Sequence, residues 1–128
     1  MNINAVYLEV FRGEAQVMEE TLNSVIVKAR KMMQKHELRE CEKMIRQSMF
    51  DYPDNAVPHN LMGLLYEKKG DHLNAMKHFR AAWALDSSYR PALMNLDCFG
   101  SVFSDKIFIF DETDEPVKIV DKQSTTQK

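Results

Sequence analysis

The stretch from Asn60 to Ala82 constrains the fold of this chain more than any other. Leu61, Met62, Leu64, Leu65 and Tyr66 recur at helical spacing, Gly70-Asp71 interrupts them, and a second apolar series follows. Gly70 suits a left-handed C-terminal cap, and Asp71 suits the N-cap of the next helix. Pro58 falls in the first turn of the first helix, where a missing amide costs little. The second helix is expected to bury Leu73, Met76, Phe79, Ala82 and Trp83 and to end near Asp86-Ser87-Ser88.

The same unit occurs upstream. At an offset of 34 residues Ala29 falls on Gly63, Cys41 on Ala75, Ile45 on Phe79 and Ser48 on Ala82. Where two antiparallel helices cross closely, only small side chains let the backbones approach, so Ala29 is expected to face Cys41, and Gly63 to face Ala75. The larger residue four positions on fills the wedge between hairpins, and the small one beyond it admits the next hairpin. The upstream helices carry Val17, Met18, Leu22, Val25, Ile26, Ala29, Met32 and Met33, as one long helix or two abutting ones from about Glu14 to Lys35. After a break at His36-Glu37 they continue with Leu38, Cys41, Met44, Ile45, Ser48 and Met49 and stop at Tyr52-Pro53.

On Met62-Gly63, Tyr66, Gly70-Asp71, Ala75, Phe79 and Ala82 the chain resembles the tetratricopeptide repeat family. The first copy is looser: it keeps Ala29, Ile45, Ser48 and Pro53 but has Met32 where tyrosine is usual, His36 where glycine is usual and Cys41 for alanine. In the second, His59 stands where tryptophan is common and Ser87 where proline is. The resemblance implies an all-α fold, a short α-solenoid of antiparallel hairpins with about two and a half repeats. Its parts are a repeat over 22–55, a repeat over 56–89 and a capping helix over 90–103 that starts at Pro91 and carries Leu93, Leu96, Phe99 and Phe103.

The ends lie outside the repeat. Residues 1–21 form an N-terminal segment and lead-in helix: Val6, Leu8 and Val10 alternate like a strand, Ile3, Val6, Tyr7 and Val10 fit a helical stripe, and Gly13 interrupts both. Over 104–120, Ile107 to Phe110 and Val117 to Val120 flank the acidic Asp111 to Glu115, which is a possible β-hairpin. Residues 121–128 are a polar tail expected to be disordered. The two ends are expected to cover the stack or to pair with each other.

The resemblance implies a protein-protein interaction module, an adaptor or scaffold, whose first helices line a concave groove for a peptide or helix. The groove positions are Asn23, Ile26, Arg30, Met33 and Gln34, then Val57, Asn60, Leu64, Glu67 and Lys68, then Met94, Asn95 and Cys98. Some family members hold the terminal carboxylates of chaperone tails with lysine and asparagine. The matching places here carry Ile26, Arg30, Pro91 and Asn95, so that clamp is not preserved. Ile26, Met33, Leu64 and Met94 either receive an apolar partner or are core beneath the chain's own ends.

Composition and motifs narrow the function further. A net charge of -2 and a pI near 6.1 provide no field to collect phosphates, so no nucleic-acid partner is expected. No apolar run approaches the roughly 18 residues of a membrane span, and the start lacks a secretory pattern, so a cytoplasmic protein without a membrane partner is expected. Cys41 and Cys98 sit among apolar neighbours as small core residues. No phosphate loop, zinc or nucleophile motif occurs, so the chain is expected to be no enzyme and to take no cofactor or metal. Its histidines are read as exposed or capping, and Asp111 to Asp114 as an acidic turn. The alternative function is a structural subunit that self-associates, as a homo-oligomer, through the groove or the terminal strands.

Overall fold

A computed structural model of the protein describes residues 3–102 and 106–114. The described residues form five helices and no strand: α1 (Ile3–Gln34), α2 (Leu38–Asp51), α3 (Ala56–Lys69), α4 (His72–Leu85) and α5 (Arg90–Gly100). Each helix packs on the next in the chain, and α3 also touches α1 and α5. The odd-numbered helices therefore share one face, and the core lies between it and α2 and α4.

The boundaries follow from local chemistry. Gly70 ends α3 at φ 83°, and the Asp71 side chain accepts the Asn74 amide at 3.2 Å to start α4. His36 takes φ 61° between α1 and α2, where the repeat pattern has glycine, so a side chain is carried in a left-handed position. Asn55 caps α3 by accepting the Val57 amide at 2.9 Å.

The close crossings are where the small residues are. Ala29 and Cys41 are both fully buried, with the Cys41 thiol 3.9 Å from the Ala29 carbonyl. Burial pushes that thiol's pKa up to about 11, so it stays protonated and inert. At Gly63 an added Cβ would lie 2.4 Å from the Phe79 ring, so beyond the expected crossing the glycine makes room for the wedge residue itself. Phe79 in turn stacks on Phe99, with ring centroids 5.8 Å apart.

Several expectations are corrected. Residues 3–13 are helical, and Gly13 does not interrupt α1, since one glycine costs a helix only about 1 kcal/mol. Leu73 and Trp83 are exposed; Leu73 lies about 120° round α4 from Phe79 and cannot share its contact. Residues 107–110 have no strand partner among the described residues, and the second arm of the expected hairpin, like the tail and Phe103, lies outside them.

Two of the histidines are neither exposed nor capping. His59 and His78 are half-buried, their rings stack at 5.3 Å, and their Nδ1 atoms are 3.1 Å apart, while Tyr66 stacks on the other side of His78 at 5.4 Å. An N–H···N contact needs one ring to donate and the other to accept, so at least the accepting ring must be neutral. Burial lowers both pKa values, and the neighbouring His59 and Arg46 lower that of His78 further.

Two predictions follow from this packing. Ser48 is buried at a helix crossing with its hydroxyl unpartnered, so Ser48→Ala should raise stability by about 1 kcal/mol, read as a higher denaturation midpoint. The lowered histidine pKa values mean that the folded state resists protonation. Their stabilising contribution is complete above about pH 6.5 and lost as pH falls below it. The melting temperature should therefore drop more between about pH 7.5 and about pH 5 for the native chain than for His59→Phe/His78→Phe, in which nothing titrates at these two positions.

Candidate partner-binding groove

The groove face is built by α1, α3 and α5, and residues 106–114 of the same chain lie in it. Asn60 on α3 and Asn95 on α5 are both fully buried. The Asn95 carboxamide meets the main chain of Ile109 edge to edge: its Nδ2 donates to the Ile109 carbonyl at 2.8 Å, and its Oδ1 accepts the Ile109 amide at 3.1 Å. Asn60 Nδ2 donates to the same carbonyl at 3.1 Å, and its Oδ1 accepts from Asn95 Nδ2 at 2.8 Å. A side-chain amide here plays the part of a neighbouring strand.

One turn further along α5, Cys98 repeats the pattern with Ile107. The Ile107 amide donates to Sγ at 3.3 Å, and the thiol lies 3.7 Å from the Ile107 carbonyl. Since Ile107 meets Cys98 and Ile109 meets Asn95, the segment runs antiparallel to α5. Lys106 Nζ donates to the Cys98 carbonyl at 2.9 Å and also to that of Ser101. The Tyr89 hydroxyl, at 3.4 Å from the Phe110 carbonyl, marks the other end. Burial, and then the nearby carboxylates of Asp111, Glu112 and Asp114, push the Tyr89 pKa up, so it remains a donor.

The side chains of the segment are bound too. Ile109 and Phe110 are buried, and the Arg30 guanidinium lies 4.5 Å from the centre of the Phe110 ring. Phe108 meets the edge of Phe99 at 5.4 Å and has the Lys68 ammonium 5.7 Å from its centre. Arg30 also makes a two-point contact with Asp114, at 3.1 and 2.7 Å, and has Asp111 at 3.7 Å. Partial burial would raise the Asp114 pKa, but hydrogen bonds from Arg30 and from the Phe110 and Asp111 amides hold it below the ordinary carboxylate range. Asp114 conversely raises the pKa of Arg30.

The groove candidates divide into three groups. Arg30, Asn60, Lys68, Asn95 and Cys98 converge on the segment. Ile26, Met33 and Leu64, at 5%, 2% and 0% exposure, are core and cannot be a free binding surface. Asn23 and Gln34 are exposed without touching the segment in any described contact, Glu67 pairs with His72 at 2.9 Å, Val57 is half-buried against the core, and Met94 sits half-buried near Glu112 and Asp114. The acidic turn needs no outside cation, because Arg30 supplies one.

Tyr89 and Phe99 join the groove unexpectedly, while the seating of residues 106–114 realises one of the two alternatives read from the sequence, groove residues beneath the chain's own ends. The signal for the latter was present in an apolar run with no second strand beside it and an acidic turn opposite the groove's arginine. Among the described residues no three His, Cys, Asp or Glu side chains are grouped to hold a metal ion, and no helix is long and apolar enough to cross a membrane. Comparison with known proteins found no matching family model, no matching curated protein and no matching solved structure.

Proposed function

We propose that this chain is a non-enzymatic protein-interaction module, a short tetratricopeptide-like solenoid whose concave groove takes another protein as an extended peptide. The observation that carries this function is the pair of buried asparagines on the N–H and C=O of one residue, Ile109. Buried carboxamides cost stability unless they are hydrogen-bonded, and no catalytic or core-packing role calls for two of them at the centre of an apolar face. Reading a main chain does, since every extended peptide offers the same amide and carbonyl whatever its sequence. The asparagines stand on the helices that line the groove in the family that the repeat resembles.

The test is affinity capture from native lysate by the full chain carrying Phe110→Ala/Asp114→Ala, which loosens its own segment, with and without Asn60→Leu/Asn95→Leu, which keeps the branched shape and removes the polar grip. Loss of two to three hydrogen bonds at about 1 kcal/mol each should weaken capture roughly thirtyfold or more, with the helical signal intact. Capture of the same protein at equal strength by both chains would remove the groove from the function.

A second function, self-association, is favoured by α1. Its core seam of Leu22, Ile26, Ala29 and Met33 continues without a change of phase through the half-buried Met18 to Ala15, Phe11 and Leu8, which are exposed among the described residues. Val6, Tyr7, Leu8, Val10, Phe11 and Val17 are 50% to 65% exposed. The same stripe on a second copy, packed antiparallel, would bury both at once. Light scattering should then report a dimer that Tyr7→Glu/Phe11→Glu converts to a monomer; a native chain that is monomeric at about 100 μM would end this reading.

A further inference from the structure

We propose that residues 107–114 are a built-in stand-in for the groove's partner, and that the partner is a peptide with an aromatic–aliphatic–aromatic run followed by carboxylates, which binds by displacing them. The proposal rests on the groove being a peptide site, as proposed above, and adds which peptide it takes and what it must remove.

The groove places four demands on an occupant. Asn60 and Asn95 require one residue in extended form, with its own N–H and C=O on the same side, toward the two carboxamides. Cys98 requires the same two residues earlier, which fixes strand-like spacing. The recess between Phe99 and Lys68 receives a flat ring, offering an aromatic edge and a cation. Arg30 makes the most selective demand. Its guanidinium carbon lies over the Phe110 ring while its two terminal nitrogens grip Asp114, so one side chain asks for an aromatic residue and a carboxylate at a fixed separation. A lysine in its place would satisfy the charge without joining the two.

The segment is held as a ligand is held, and differs in this from a structural strand. It pairs with side chains of the groove and, among the described residues, with no other backbone in a ladder. Its acidic end is only partly buried, Lys106, Glu112 and Thr113 are exposed, and the ion pair of Arg30 with Asp114 leaves about a third of the arginine in solvent. Releasing the segment would expose Phe108, Ile109 and Phe110 and leave Asn60 and Asn95 to be rehydrated. The helices would keep their mutual contacts.

The test uses the full chain and a labelled nine-residue peptide with the sequence of residues 106–114. Phe110→Ala/Asp114→Ala in the chain weakens the built-in segment and leaves every groove residue in place. Fluorescence anisotropy should show the peptide binding this opened chain at least about tenfold tighter than the native one, because the native groove is mostly occupied. A peptide with Phe110 replaced by alanine, or with Asp111 and Asp114 replaced by serine, should lose most of that binding. In the native chain, amide exchange at Ile109 should proceed by local opening, faster than in α3, and should accelerate once the peptide exceeds the roughly millimolar effective concentration of the tethered segment.

Equal binding to the native and opened chains, or exchange of Ile109 only with global unfolding, would overturn the proposal. So would collapse of the helical signal in the opened chain, since the segment would then be part of the fold. A random pool of extended nine-residue peptides separates this failure from that of the wider function. If the opened chain selects peptides without the aromatic and acidic pattern, the groove still reads peptides but this assignment is wrong. If it selects none, both are wrong.

Discussion

The face shared by α1, α3 and α5 depends on one buried polar contact, the grip of Asn60 and Asn95 on the main chain of Ile109. A fully buried carboxamide without partners costs on the order of 1–3 kcal/mol, and two side by side on α3 and α5 would work against the packing of those helices. Each asparagine satisfies part of the other, and the remaining donors and acceptor are completed only by an extended backbone. The apolar contacts then fall into place around it. With Ile109 fixed, Phe108 reaches Phe99 and Phe110 reaches Arg30, so the core continues as a chain of rings from Phe79 through Phe99 and Phe108 to Phe110.

That chain starts at a residue that the sequence made conspicuous for another reason. Gly63 was expected to face Ala75 across a helix crossing, and the atoms closest to its missing side chain belong to Phe79. Size patterns at a fixed offset show where two helices approach and do not show which atom fills the space. The same limit explains Leu64, Ile26 and Met33: periodicity puts them on the groove side of their helices, but whether that side is floor or wall depends on what lies over it. Gly70, Asp71 and the Ala29–Cys41 crossing were legible because their chemistry is local or nearly so.

The ends of the chain were least legible, for two distinct physical reasons. Over residues 3–13 the apolar pattern fits both periods, and helix won because α1 continues from a packed second half, whose cooperativity carries it through Gly13. Residues 107–110 have strand composition and extended form, but a strand is defined by its neighbour, and here the neighbours are side chains. The basic end of α1 hid a similar division. Lys28, Lys31 and Lys35 are exposed, as a solvated face would have them, while Arg30 is drawn into the groove by two aspartates far away in sequence.

A tethered segment competes at an effective concentration of roughly millimolar, so a partner that merely reproduced its contacts would not displace it at micromolar concentration. The weak points of the built-in segment therefore indicate where a partner gains. Asp111 stands 3.7 Å from Arg30, too far for a hydrogen bond, and the Tyr89 hydroxyl reaches the Phe110 carbonyl only at 3.4 Å. Met94 and Arg90 line an open recess with Glu112 and Asp114 at the acidic turn. A carboxylate brought closer to Arg30, or an apolar side chain laid on Met94, improves on the native occupant while keeping the Asn60–Asn95 grip unchanged. Affinity and selectivity thus come from different parts of the groove: the asparagines accept any extended backbone, and the ring and charge sites around Arg30 decide which sequence replaces the chain's own.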